Sequence, residues 1–463
     1  MQLFKVQKML RGMEPLGELP GEKEVLLETV RIAWPSVLES FLIFLVSLID
    51  MVMVGSLGAY AIAAVGLTAQ PKLIGLAFFM SLGVAVSAIV ARRRGEQDSD
   101  RANRVLVQSI MITLILTVVI STLCIAFADQ IMHVAGSSED THDASVQYFR
   151  IIMGGMVFNV LSIVINAAQR GAGNTKIAMR TNIVSNLVNI VFNYLLIGGN
   201  LGFPKLGVAG AAIATVIGTV CACVMSIYSV MHKGCFISLR VNVKLRFDRE
   251  TLGTLWNIGS STLAEQIFLR AGFFIYNIIV AHLGTNAYAA YQVGMNVMGI
   301  PFALGDGLSA ASVALVGRSL GKKREDLAQI YGGVCQRIGV LFSAVLSVVF
   351  LVFGKQIFQL FSNEAEILDY GVMIMRLMTV IVFMQISQVV YSGCLRGAGD
   401  TKFVAFIGLV SVSFVRPFFG WLFCYPLALG LFGAWIGLIL DQLVRFLMTL
   451  LRFRSGKWRG IQI

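Results

Sequence analysis

Arg170-Gly-Ala-Gly-Asn-Thr-Lys176 returns as Arg396-Gly-Ala-Gly-Asp-Thr-Lys402, six of seven residues identical at an offset of 226. A recurrence at that distance calls for a search for self-similarity along the whole chain. The same offset carries Leu57-Gly58, with Ala61, Ala63 and Ala64, onto Leu283-Gly284, with Ala287, Ala289 and Ala290. It carries Ser87-Ala-Ile-Val-Ala-Arg-Arg-Arg-Gly95 onto Val313-Ala-Leu-Val-Gly-Arg-Ser-Leu-Gly321, and Glu39 onto Glu265. After the loops the register slips by three, and Gly207-Val-Ala-Gly210 answers to Gly430-Leu-Phe-Gly433. The chain reads as two copies of one half.

In 463 residues, 57% are hydrophobic and 13% charged, roughly half the charge density that a soluble surface needs. Charge-free runs such as Val105 to Ala128, Thr181 to Pro204 and Gly207 to Met231 have the ~20-residue length of a bilayer-crossing helix. A strand barrel would show short alternating segments instead. The expected fold is an all-α integral membrane protein with twelve spans, at about 32 to 54, 62 to 90, 105 to 128, 145 to 168, 177 to 197, 207 to 231, 253 to 282, 288 to 316, 331 to 354, 370 to 394, 403 to 425 and 430 to 451. Six spans per copy is an even number, so both copies point the same way across the membrane, related by a pseudo-two-fold axis along its normal. The expected division is a lead-in at 1–31, an N-lobe at 32–231, a connector at 232–252, a C-lobe at 253–452 and a tail at 453–463.

The net charge of +12 is a matter of topology. The N-terminus, the loops after spans 2, 4, 6, 8 and 10, and the C-terminus hold 28 of the 37 Lys and Arg residues, with Arg180 at the start of span 5 counted to its loop. The opposite face has Lys205 and Lys355, and its loops carry acids such as Asp129, Glu139, Asp140 and Asp143. By the positive-inside rule both termini are cytoplasmic in the cell membrane. No nucleic-acid partner is implied, and a monomer is expected. The lead-in lacks an apolar core of its own, so a cleaved signal peptide is not expected. The seven Cys are scattered, and Cys221 and Cys223 lie about 200° apart on a helix, which suits no shared metal. His133, His142, His232 and His282 show no ligand spacing, so no metal centre is expected. No nucleophile-and-base set and no Walker loop points to an enzyme.

Span 1 opens at Trp34-Pro35, where proline suits a first helical turn. It then holds Glu39 and Asp50, eleven residues and roughly 16 Å apart on one face. A charge kept at depth costs at least ~2.5 kcal/mol and marks a functional site, or else a partner on a neighbouring helix. Span 4 carries Asn159 and Asn166. Span 5 carries Asn182, Asn186, Asn189 and Asn193 as a stripe along one side, and span 6 adds Thr215. Such a stripe must face a helix or water, either as interhelical glue or as ligands. In the second copy Tyr276 answers to Asp50, Gln385 to Asn159, and Asp306 is a further acid within a span. Asp441 and Arg445, four apart in span 12, are expected to pair. Glu265 serves cargo or pairs with an arginine such as Arg270 or Arg337.

Asp50-Met-Val-Met-Val-Gly55 followed by Leu57-Gly58, the two Arg-Gly-Ala-Gly-Asn/Asp-Thr-Lys loops and Gly207-Val-Ala-Gly-Ala-Ala212 resemble the multidrug and toxic compound extrusion (MATE) family, over about residues 25 to 452. The resemblance implies two six-helix lobes around a central cleft, alternating access, and export of organic cations or amphipathic drugs in exchange for protons or sodium. It puts Asp50 at the acid central to coupling, Asn189 and Asn193 at the paired polar positions of helix 5, Thr215 at the polar position of helix 6, and Asn159 or Asn166 at the helix 4 contributor. Glu39, Glu265, Asp306 and Gln385 are then candidates for cargo binding, and no cofactor is expected beyond a sodium ion or proton. Some members carry Asp where this chain has Asn193, and Gln385 stands where one branch has a carboxylate. A second reading is a lipid-linked oligosaccharide flippase of the same superfamily; twelve spans, Asp50 and Glu265 favour the antiporter.

Overall fold

The computed structural model describes residues 4–10, 13–231, 235–239, 248–360 and 364–461. His232, Lys233, Arg240, Lys244 and Arg246 of the expected connector lie outside the described residues. Among those described, every regular element is helical. The chain runs α1 (Val6–Leu10), α2 (Glu22–Gly55), α3 (Ala59–Glu96), α4 (Ser99–Ala126), α5 (Ala128–Val134), α6 (Glu139–Gly154), α7 (Met156–Gly171), α8 (Thr175–Gly198) and α9 (Gly207–Met231). It continues as α10 (Arg249–Ala281), α11 (Thr285–Gly321), α12 (Glu325–Gln359), α13 (Ala365–Gly397), α14 (Thr401–Gly408), α15 (Arg416–Cys424) and α16 (Gly430–Ser455). Eleven stretches are long and apolar enough to cross a bilayer, with α14 to α15 counted as one, and the pair α6 and α7 makes twelve. The chain is thus an all-α, multi-pass membrane protein.

Contacts group the chain into two compact units, one of Met1–Ser40 with Ser260–Ile463 and one of Phe41–Gly259. In each, the helix that follows the Leu-Gly-Ala repeat forms the centre: α3 buries Ala61, Ala64, Phe79, Ala85 and Ala88, and α11 buries Ala287, Ala290, Leu308, Ala311 and Ala314. Small side chains let neighbouring backbones come close, which is how helices associate where lipid is as apolar as the protein.

The repeated loop has two uses for glycine. Gly173 and Gly399 hold φ of +85° and +88°, the left-handed turn that ends α7 and α13. Asn174 N–H reaches back to Gln169 O at 2.8 Å, and Asp400 N–H to Leu395 O at 2.8 Å, which satisfies carbonyls at both helix ends. Gly171 and Gly397 instead mark close approach. A Cβ would stand 2.4 Å from Ser87 O at the first and 2.7 Å from Val313 O at the second, and Ser87 and Val313 are themselves repeat partners.

Three local expectations change. Pro35 lies inside α2 and not in its first turn, because the helix begins at Glu22 with Glu22 and Glu24 facing its N-terminal dipole. Span 4 bends by 48° between α6 and α7. The bend falls at Gly154-Gly155, where a Cβ on Gly155 would meet Val216 at 2.5 Å. Span 11 passes through a π-helical turn, Leu409–Val415, that separates α14 from α15.

Candidate cation-coupling site

The asparagine stripe of α8 turns its outer half toward the end of α2. Asn189 and Asn193, one turn apart, are buried at 6% and 1% exposure, while Asp50 is half-buried. Asn193 Nδ2 donates to Asp50 Oδ1 at 2.8 Å. The Asn189 amide sits between Asp50 and Thr215. With its nitrogen toward the carboxylate it donates to Oδ1 at 2.9 Å and Oδ2 at 3.3 Å, and its oxygen accepts from Thr215 N and Oγ1 at 3.2 Å. That orientation follows from the neighbours, which offer acceptors on one side and donors on the other. Thr215 Oγ1 in turn donates to Ala211 O at 2.9 Å, so α9 holds the far side of the amide. Asn193 Oδ1 is buried without a hydrogen-bond partner, and so is Asn186 Nδ2.

Two residues that sequence reading did not single out complete the surroundings. Lys72 of α3 lies within electrostatic reach of Asp50, and Tyr148 of α6 reaches both Asp50 and the Thr215 hydroxyl. The sequence carried one sign of Lys72, a lone cation after Pro71 in an apolar run, in the outer half of its span like Asp50. Asn159 and Asn166 are placed otherwise. Asn166 donates to Ser162 Oγ at 3.2 Å and accepts from Ser226 Oγ at 3.1 Å, a buried knot that ties α7 to α9. Asn159 is half-buried and makes no hydrogen bond among the described residues.

In the other unit Glu265 is 5% exposed and accepts from Arg396 Nη2 at 2.5 Å. Its partner is thus the arginine of the repeated loop and not Arg270 or Arg337. Asp306 lies within electrostatic reach of both Arg396 and Glu265. Glu39 is buried on α2, and Gln385 is fully buried with neither amide atom hydrogen-bonded. At the position that answers to Asp50, the Tyr276 hydroxyl donates to Ala434 O and the ring lies 5.7 Å from the Arg416 guanidinium. Arg416 is bound to Asp441 by Nε at 3.0 Å and Nη2 at 2.5 Å, whereas Arg445 Nε stands 3.6 Å from that carboxylate and donates to Ser411 at 2.8 Å. The expected Asp441–Arg445 pair is therefore secondary: α15 brings a cation that spacing along α16 could not reveal. The two copies share a scaffold, but one lodges an acid among amides and the other a closed ion pair.

The expectation that the histidines form no ligand group is corrected as well. His133 and His142 meet Asp129 across the turn at Gly136, where eight intervening positions of sequence hid their proximity.

An internal repeat of membrane-crossing helices, with an amide-lined acid inside the apolar layer of one copy, defines the class as a multi-pass membrane transporter. The MatE family model matches residues 35–195 and again 262–422, once in each copy of the repeat, and the chain belongs to that family. It is 27% identical over 456 residues to "Probable multidrug resistance protein NorM" of Thermotoga maritima, covering 97% of this chain and 96% of that one. It is 27% identical over 432 residues to "Uncharacterized transporter YisQ" of Bacillus subtilis, covering 92% and 94%. A crystal structure of a MATE protein in the bent conformation superposes with a TM-score of 0.86 at 23% identity, covering 97% of each chain.

Proposed function

We propose that the protein is an antiporter that exports organic cations or amphipathic small molecules in exchange for sodium or protons, with Asp50, Asn189 and Asn193 as the coupling site and both termini in the cytoplasm. The observation that carries this reading is an acid inside an apolar helix whose partners are amides of a single neighbouring helix. The multidrug resistance assigned to the Thermotoga maritima relative supports the cargo class.

An amide shell suits two states of one site. Asn189 and Asn193 turn nitrogens to a bare carboxylate, and the same side chains can turn oxygens inward when a cation sits on Asp50. Carboxylate and amide oxygens are hard ligands suited to sodium, and a proton on Asp50 would equally release the amide nitrogens. Either event changes the hydrogen bonding between α2 and α8. Antiport requires the ion and the drug to favour opposite conformations, because a ligand shifts an equilibrium only through its differential affinity.

The test is efflux of a fluorescent organic cation from everted vesicles, with sodium and pH gradients imposed separately. Efflux driven by one gradient identifies the coupling ion, and Asp50→Asn is expected to abolish that dependence while the protein still reaches the membrane at the normal level. Full gradient-driven efflux in Asp50→Asn would sink the site assignment. Efflux indifferent to both gradients in the unaltered protein would overturn the antiporter reading and leave the lipid-linked oligosaccharide one.

A further inference from the structure

A second polar cluster lies at the other end of α4 from Arg101, built from residues that the coupling site does not use. Asp129 opens α5 and His133 closes it, one turn apart and so on one side of the helix. The chain reverses at Gly136, whose φ of +90° only glycine adopts without strain, and Ser138 caps α6, which turns His142 back toward α5. His142 Nε2 stands 3.0 Å from Asp129 Oδ1, and the rings of His133 and His142 stack with centroids 4.1 Å apart. One ligand atom from each of the three lies within 4.8 Å of the others. His142 Nδ1 is held by Ser137 Oγ at 2.7 Å, which fixes the ring and aims Nε2 into the cluster.

We propose that Asp129, His133 and His142 form a binding site for a divalent transition-metal ion of the zinc type, with a fourth position open to water. Two imidazoles and one carboxylate are a ligand set that zinc and its neighbours accept, whereas calcium and magnesium take oxygen ligands. Bonds of ~2.0–2.1 Å to a tetrahedral ion set ligand atoms about 3.4 Å apart. The present spread closes to that value by small rotations of the exposed Asp129 and His133, which exchange the Asp129–His142 hydrogen bond and part of the ring stacking for bonds to the ion. Ser137 supplies the outer hydrogen bond that orients a ligating histidine. The first turns of α6 add exposed Glu139, Asp140 and Asp143, which favour a cation, while Arg150 lies within reach of Asp129 and opposes it. A bound ion would staple α5 to α6, and so the end of α4 to the bent pair α6 and α7.

The experiment is a Co2+ titration of the detergent-solubilised full chain, purified without a polyhistidine tag and followed by visible d–d absorption, then by displacement with Zn2+. One saturable equivalent is expected, insensitive to excess Mg2+ or Ca2+. His133→Ala and His142→Ala should each weaken binding at least about tenfold, and Ser137→Ala by about tenfold. A thermal melt without metal checks that each variant folds, and the exposed Asp129→Asn serves if a histidine variant does not. Absence of a saturable Co2+ spectrum in the unaltered protein, or a spectrum retained in the His133→Ala, His142→Ala double variant, would overturn the proposal and leave a hydrogen-bonded Asp129–His142 pair.

Discussion

Arg416 and Asp441 are 1% and 0% exposed, with no water to share the cost of separating them. Removing Asp441 leaves two buried arginines without a counter-charge, so Asp441→Leu should lower stability by ~3–5 kcal/mol, while Arg416→Leu should cost less because Arg445 Nε still stands 3.6 Å from the carboxylate. Denaturation of the detergent-solubilised variants checks both. Around Asp50 the sign runs differently. Lys72 opposes any cation that settles on the carboxylate, so Lys72→Met should lower the half-saturating concentration of the coupling ion by about tenfold, measured as the ion dependence of efflux. The proximity of Asp50 to Asn189 and Asn193 was legible, because amides recurring every three or four residues must face something other than lipid. Lys72 and Tyr148 were not, since each comes from a different helix and carries no periodic partner. The same limit hid Arg416 behind Arg445: spacing along one helix shows only that helix's own pairs.

At the scale of the element, the two glycines of the first loop offer a contrast. Gly171→Ala forces a methyl against the Ser87 carbonyl and should cost about 1–3 kcal/mol through overpacking of α7 on α3. Gly173→Ala meets nothing within 4 Å and should cost only the left-handed backbone penalty of roughly 1–2 kcal/mol. Thermal melts of these variants and of Gly397→Ala should show the two close-contact positions behaving alike in both copies. Helix existence and number were readable because apolar runs of bilayer length leave few alternatives. The bend at Gly155 and the π turn at Leu409–Val415 were not, for the apolar pattern runs through both without interruption. What bends a helix is the neighbour it meets, here Val216 for Gly155, and that neighbour is distant in sequence.

Across the whole molecule, the units do not follow the order of the chain. The segment up to Ser40 packs with residues from Ser260 onward, as where Gly307 of α11 lies against Val37 of α2 so closely that a Cβ would stand 2.4 Å from its Cα. A chain cut within 240–247 and co-expressed as two pieces should therefore restore efflux. Removing residues 1–40 from such a pair should not, because the second unit then lacks the first half of α2. Recovery of efflux without that segment would show its packing to be dispensable. The repeat in the sequence revealed that there are two halves, yet it could not show that α2 and α10 each change allegiance part-way along, since periodicity is the same on both sides of the change. This arrangement has a consequence for biosynthesis. Ribosomes add ~5–20 residues per second, so the start of α2, with the carboxyl of Glu39 on it, waits roughly 15–55 s before α11, against which it packs, has been made. For that interval the nascent chain depends on the insertion machinery to shelter an acid in the membrane, and mutations that leave the finished protein unaffected can still lower its yield there.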